Sequence, residues 1–209
     1  MKAFYWFTRF SLSRFFHLLY RCKVYGTEHP VKGRAIIAPN HTSFFDPPII
    51  AIAWPEEVHF LAKASLFQTS YMKWLIKKLN AHPVNESAQD IKSMKTICKL
   101  LEEEKKVVIF PEGERSHHGD LLSIKSGVAM LALRMKCPII PAYIEGAYEA
   151  WPRNSRLPKF GNKITILFGK PIAMEPYLHM HKKEAQQAIS EHLLEEIRKL
   201  KHKAGSLGK

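Results

Sequence analysis

The sequence predicts an α/β fold: a single domain whose mostly parallel, buried sheet is flanked by helices, preceded by an N-terminal amphipathic helix. Three observations carry this expectation. Short, near-continuous apolar runs alternate with longer amphipathic segments, which is the pattern of strands buried on both faces and joined by crossover helices. At 209 residues, with 46% hydrophobic and 24% charged residues, the chain fills one core and falls short of two. No internal repeat or low-complexity tract points to another architecture.

Taken in order, residues 1–21 read as an amphipathic helix. Phe4, Tyr5, Leu12, Phe15, Phe16, Leu18 and Leu19 share one half of a helical wheel; Lys2, Arg9, Ser13, Arg14, His17 and Arg21 share the other, with Trp6 and Phe10 intruding on the basic side. Aromatic rings mixed with arginines suit a lipid headgroup layer, whereas packing on the domain core is the plainer alternative. Arg9, Ser13, Arg14 and His17 interrupt any run of membrane-spanning length, and no small-residue cleavage site follows. The domain proper is then 22–203. Its strands are expected at 23–26, 35–39, 58–62, 106–110, 138–144 and 163–169. A capping box of Ser87 and Asp90 precedes the apolar series Ile91, Met94, Ile97, Cys98 and Leu101 of one helix. Residues 149–162 read as a basic surface loop, and 181–203 as a final helix with Ile189, Leu193, Leu194 and Ile197 as its buried stripe. Residues 204–209 read as a fraying tail.

The formal net charge of +13 favours an anionic partner: a phosphate ester, a lipid surface or nucleic acid. Cys22, Cys98 and Cys137 lie far apart without metal-ligand or disulfide spacing, which suggests a reducing compartment. Two polar stretches then stand out. In NHTSFFDPP, residues 40–48, Ser43 and Asp46 have the spacing of a helix cap, which places His41 just outside a helix start and Asp46 in its first turn. A carboxylate there can meet the imidazole. Read alone, the same spacing also fits a plain cap beside a surface histidine. In KVVIFPEGERS, residues 106–116, a buried strand runs directly into a polar turn, and ligands of α/β proteins collect at strand C-terminal ends. Gly113 permits a sharp turn, and Arg115 offers a planar fork matched to phosphate, or is simply a surface arginine.

The two stretches together resemble the glycerolipid acyltransferase family, which includes bacterial 1-acyl-glycerol-3-phosphate acyltransferases. NHTSFFDPP matches its NHxSxxD block, FPEGERS its FPEGxRS block, and CPIIPAYIEGA (137–147) its later proline-containing block, so the resemblance spans about residues 24–170. It implies His41 as catalytic base and Asp46 as its orienting partner. It also implies an acceptor site shaped by Glu112, Gly113 and Ser116, with Arg115 on the acceptor's phosphate. FLAKASLF and SIKSGVAML add Lys63 and Lys125 as secondary phosphate ligands, although both equally fit solvated lysines. One block departs: NAHPVNE, 80–86, has Glu86 where the family commonly carries a phosphate-binding arginine.

The implied reaction moves a fatty acyl group from a thioester, acyl-CoA or acyl carrier protein, to a lysophospholipid hydroxyl, giving a product such as phosphatidic acid. No metal or other cofactor is implied. A neutral His41 removes the hydroxyl proton, and backbone amides at the helix start after Ser43 are expected to stabilise the oxyanion. The implied partners are an anionic membrane surface, the lysophospholipid, and acyl carrier protein if it is the donor. The implied location is peripheral or monotopic, on the cytoplasmic face. Glu86 keeps another lysophospholipid open as acceptor. A non-catalytic lipid- or nucleic-acid-binding module accounts for the charge but leaves His41, Asp46 and FPEGERS unexplained, and no nucleic-acid-binding motif is present.

Overall fold

A computed structural model describes residues 2–84 and 91–207. Seven strands form one sheet in the order β1-β7-β6-β2-β5-β3-β4: β1 (Lys23–Tyr25), β2 (Ala35–Pro39), β3 (Val58–Lys63), β4 (Ala81–Val84), β5 (Lys106–Val108), β6 (Ile139–Glu145) and β7 (Thr165–Phe168). All neighbouring pairs are parallel except β6 with β7. Side chains alternate between two cores. Ile36, Ala38, Val107 and Ile139 pack under α4 (Ile91–Glu102), α5 (Gly127–Met135) and α7 (Lys182–Leu207). Ala35, Ile37, Val108 and Ile140 pack on the opposite face against α1 (Lys2–Tyr20) and α2 (Asp46–Ala53). Burial on both faces is why these strands carry almost no polar residues. One buried exception, the charged Lys106, donates to the Gly33 carbonyl and lies 3.1 Å from the Glu56 carboxylate, partners that a buried ammonium requires.

The six expected strands are present, and β4 is the one that sequence reading missed. Pro83 explains the omission: it argues against a central strand, but β4 lies at the sheet edge, where a missing N–H is tolerated. Two expectations at chain ends change. The final helix does not fray at 204; it continues to Leu207, because Ala204 is buried in the same stripe as Ala185, Ile189, Leu193, Ile197 and Leu200. Ile91, expected in the buried face of α4, is 68% exposed, so burial begins farther along at Ile97. The capping box at Ser87 and Asp90 lies outside the described residues, as does Glu86. The basic stretch 149–162 begins in the short helix α6 (Ala147–Ala150) and is a loop only beyond it.

Helix α1 packs on the domain core with one part of its apolar surface and leaves another part exposed. Tyr5, Phe16 and Tyr20 are buried, Leu12 packs beside them, and the Tyr5 hydroxyl accepts the Val58 N–H at 3.2 Å. Arg9, expected on a solvent-facing basic side, instead donates to the carbonyls of Ala51, Ile52 and Trp54 at 3.1, 3.2 and 2.7 Å. Those groups at the end of α2 have no partner within the helix, so the guanidinium completes it. Phe7, Phe10 and Leu18 point outward at 69%, 64% and 74% exposure. No helix among the described residues is long and apolar enough to cross a membrane.

The contrast within α1 is testable by urea denaturation. Phe16→Ala is expected to cost about 3–5 kcal/mol, as for other buried aromatic truncations, whereas Leu18→Ser should stay within about 0.5 kcal/mol. Equal costs at the two positions would show that the helix is not docked by this face.

Candidate active site

Strands β2 and β5 are parallel neighbours, so the loops leaving their C-terminal ends emerge side by side. The first loop begins with Asn40, whose side chain accepts the Ile144 N–H at 2.7 Å and donates to the Ile144 carbonyl at 3.2 Å. This two-point bond ties the loop to β6. His41 follows, and its Nδ1 lies 2.8 Å from Asp46 Oδ2. The same carboxylate oxygen accepts the N–H groups of Thr42 and Ser43 at 2.7 and 2.8 Å. Asp46 is fully buried at the first position of α2, where the helix dipole favours a negative charge. Because a carboxylate only accepts, Nδ1 carries the ring proton, which leaves Nε2 as the basic nitrogen. The ring stacks on Phe110, with centroids 3.9 Å apart and planes 17° from parallel, and this fixes its orientation.

The cap differs from its sequence prediction. Helix α2 starts at Asp46, with Phe45 and not Ser43 at the capping position, while Ser43 Oγ accepts the Phe45 N–H at 3.1 Å and donates to the Trp151 carbonyl at 2.8 Å. This removes the expected oxyanion donors. The amides of Thr42 and Ser43 serve Asp46, Phe44 donates to the Trp151 carbonyl, Phe45 to Ser43 Oγ and Asp46 to the Ser43 carbonyl. Pro47 and Pro48 have no N–H to offer. Every amide from Thr42 through Asp46 is therefore already committed.

The second loop clamps the histidine from the other side. Glu112, only 1% exposed, accepts the His41 N–H at 2.8 Å through Oε1 and the Leu122 N–H at 2.9 Å through Oε2. Buried Ser116 donates its N–H to the His41 carbonyl at 2.8 Å. Both residues thus hold the His41 backbone in place. Gly113 has φ +77°, and a Cβ there would come within 2.8 Å of Lys125 Nζ, so glycine serves both the turn and the approach of that lysine. Arg115 lies with its guanidinium carbon 3.7 Å over the Phe44 ring, and its Nη1 is buried without a hydrogen-bond acceptor among the described residues. Burial, and next the neighbouring Arg153, hold this guanidinium below its ordinary range, while Asp46 pulls the other way.

The structure thus gathers His41, Asp46, Glu112, Gly113, Arg115, Ser116 and Lys125 around the ends of β2 and β5. Lys63 ends β3, separated from β2 by β5 in the sheet. Asn40, Phe44, Phe110 and Trp151 are contributors that sequence reading did not assign. Only Asn40 left a local signal, as a polar residue directly after a buried strand.

A histidine oriented by a buried aspartate, beside an arginine whose Nη1 has no acceptor among the described residues, has the geometry that general-base chemistry on an anionic substrate requires. The comparisons narrow that class. The family model "Acyltransferase" matches residues 21–145. A 1-acyl-sn-glycerol-3-phosphate acyltransferase of Bacillus subtilis is 32% identical over 187 residues, covering 88% of this chain and 90% of that protein. A protein of the same name from Cocos nucifera is 31% identical over 69% of this chain, which spans only 47% of it. The crystal structure of the 1-acyl-sn-glycerophosphate (LPA) acyltransferase PlsC from Thermotoga maritima superposes with a TM-score of 0.70 at 25% identity, covering 86% of this chain and 72% of that one. The chain belongs to the Acyltransferase family.

Glu112 gives the site a pH signature. Burial, opposed by its two N–H donors and reinforced by Asp46, raises the carboxyl from 4.5 to about 6. A folded-state value above the unfolded one contributes stability that is complete below about pH 4.5 and is lost as the pH rises through about 6. The loss amounts to at most about 2 kcal/mol. In urea unfolding between pH 4 and 7, the advantage of the parent over the non-titrating Glu112→Gln variant is expected to shrink across that window. A constant difference would mean that Glu112 titrates normally.

Proposed function

We propose that the protein transfers a fatty acyl group from a thioester, acyl-CoA or acyl carrier protein, to the free hydroxyl of 1-acyl-glycerol-3-phosphate, giving phosphatidic acid. The observation that carries this reading is the His41–Asp46 dyad beside the buried Nη1 of Arg115, which has no acceptor among the described residues. The names of the Bacillus subtilis relative and the Thermotoga maritima neighbour support the same acceptor. His41 Nε2 takes the proton as the hydroxyl oxygen attacks the thioester carbonyl, and Asp46 stabilises the imidazolium that forms without itself taking the proton. Collapse of the tetrahedral intermediate breaks the C–S bond, and the imidazolium returns its proton to the departing sulfur. Arg115 meets the acceptor's phosphate. Its guanidinium carbon is held 3.7 Å over the Phe44 ring, so less side-chain freedom remains to be lost on binding.

The acceptor and the product are lipids, and the outward face of α1 provides a means of reaching them. Phe7, Phe10 and Leu18 are exposed, Phe4 packs edge-on against Trp74 of α3 (Ser70–Lys78), and the Arg14 guanidinium lies 5.9 Å from the Phe10 ring centre. Apolar side chains interleaved with cations bind an anionic interface through buried area and headgroup attraction. Arg14 and Arg21 supply that charge, because Arg9 is committed to α2.

Two assays test these readings. Thiol release from acyl-CoA and from acyl carrier protein, measured against a panel of lysolipids, should show highest turnover with 1-acyl-glycerol-3-phosphate. His41→Ala and Asp46→Asn should each lose at least about 10²-fold, and Arg115→Lys should raise KM for this acceptor more than KM for the thioester. Near-parental turnover in a folded His41→Ala protein would overturn the dyad. Pelleting with phosphatidylglycerol vesicles should fall in a Phe7→Ser/Phe10→Ser variant and weaken in part between 0.1 and 1 M salt. Undiminished pelleting of that variant would place the membrane contact elsewhere.

A further inference from the structure

A phosphate monoester carries nearly two negative charges at neutral pH, and one guanidinium leaves it half neutralised. The loop after α6 brings a second guanidinium to the same place. Trp151 is tied to the His41 loop: its carbonyl accepts Ser43 Oγ at 2.8 Å and the Phe44 N–H at 3.4 Å, and Pro152 bridges to Ser43 in antiparallel fashion. Arg153 follows immediately. Its Nη1 lies 3.4 Å from the Arg115 carbonyl, 3.2 Å from His117 Nε2 and 3.6 Å from the Glu114 carboxylate. The Arg153 guanidinium therefore lies against the Arg115 backbone, near enough for its charge to act on the Arg115 guanidinium. With Glu112 buried and bonded to two backbone amides, the carboxylate paired with Arg153 is Glu114.

That pairing is built to exchange. The Arg153 and Glu114 side chains are 37% and 58% exposed, their separation is long for a salt bridge, and exposed ion pairs contribute little to stability. Two like charges held together by backbone anchoring gain more from an anion that spans both than from one mobile carboxylate. We propose that Arg153 is a specificity-determining residue that joins Arg115 in a two-arginine clamp on the acceptor's phosphate monoester, and that Glu114 occupies its guanidinium until the phosphate displaces it. This rests on the acyl-acceptor reading above and adds a preference to it. A monoester dianion can engage both forks, whereas the phosphodiester of a zwitterionic lysolipid carries a single charge and one blocked oxygen.

The test uses the full-length protein and two readouts. In thiol release with acyl-CoA, Arg153→Ala should raise KM for 1-acyl-glycerol-3-phosphate about tenfold or more, the scale of losing hydrogen bonds to a charged group. KM for the thioester and for 1-acyl-glycerophosphocholine should move less than about threefold. Glu114→Gln should lower KM for the monoester acceptor, and the double variant Arg153→Ala/Glu114→Gln should match Arg153→Ala, because relief by Gln requires the arginine. An equal rise in KM for every acceptor would assign Arg153 only to holding the loop and overturn the clamp. Calorimetric binding of glycerol 3-phosphate reads the clamp independently of turnover. Binding lost in Arg153→Ala by a parent protein that fails to acylate the monoester acceptor would sink the acyl-acceptor reading and keep the clamp. Binding unchanged in Arg153→Ala would sink the clamp whatever the activity.

Discussion

Three hydrogen bonds converge on one oxygen atom, Asp46 Oδ2, from His41 Nδ1 and from the backbone N–H groups of Thr42 and Ser43. The amides fold the loop back on the carboxylate, and the imidazole closes it. Because Asp46 also opens α2, the charge sits at the positive end of a helix dipole and is fully buried. Loop shape, ring tautomer and helix start are therefore one arrangement and not three. Its consequence for chemistry is that the amides nearest His41 are already spent, so these amides do not serve a developing oxyanion.

The sheet makes this local arrangement a site. Parallel pairing of β2 with β5 sets two polar loops side by side, and Glu112 and Ser116 from the second grip the His41 backbone at its N–H and its carbonyl. Glu112 belongs to a motif that reads as substrate-contacting, yet its buried carboxylate is occupied by two backbone amides. The same motif is divided by exposure: the buried members Glu112 and Ser116 brace His41, while Glu114 is exposed and Arg115 partly so. The Trp151 carbonyl ties a third loop to this pair, so the residues that define the rim come from three distant parts of the chain.

Helix α1 buries only part of its apolar surface. A narrow stripe of Tyr5, Leu12, Phe16 and Tyr20 docks on α2, and Arg9 completes the end of that helix. The apolar residues outside this stripe, Phe7, Phe10 and Leu18, remain uncovered. A wheel divides residues into apolar and polar halves, but it cannot divide the apolar ones between a protein core and an interface, since both reward the same side chains. Nor does it distinguish a cation in water from one bonded to helix-end carbonyls.

What the sequence determined by itself was whatever is local or patterned. Strands buried on both faces read as apolar runs, so β2, β3, β5, β6 and β7 were legible, and His41 and Asp46 are close enough in the chain for a turn to join them. β4 was not legible, because Pro83 is acceptable only at a sheet edge, and edge position is a property of the whole sheet. Ala204 likewise reads as part of a small, flexible tail until the core it covers is assembled. Tertiary structure alone decided that Phe110 stacks on the imidazole, that Asn40 ties the first loop to β6, that Glu112 holds the His41 backbone, and that Arg153 reaches the Arg115 carbonyl. Most of these contacts join residues dozens of positions apart. Their partners are chosen by strand order and loop packing, which only the assembled sheet defines, and not by the chemistry of neighbouring residues.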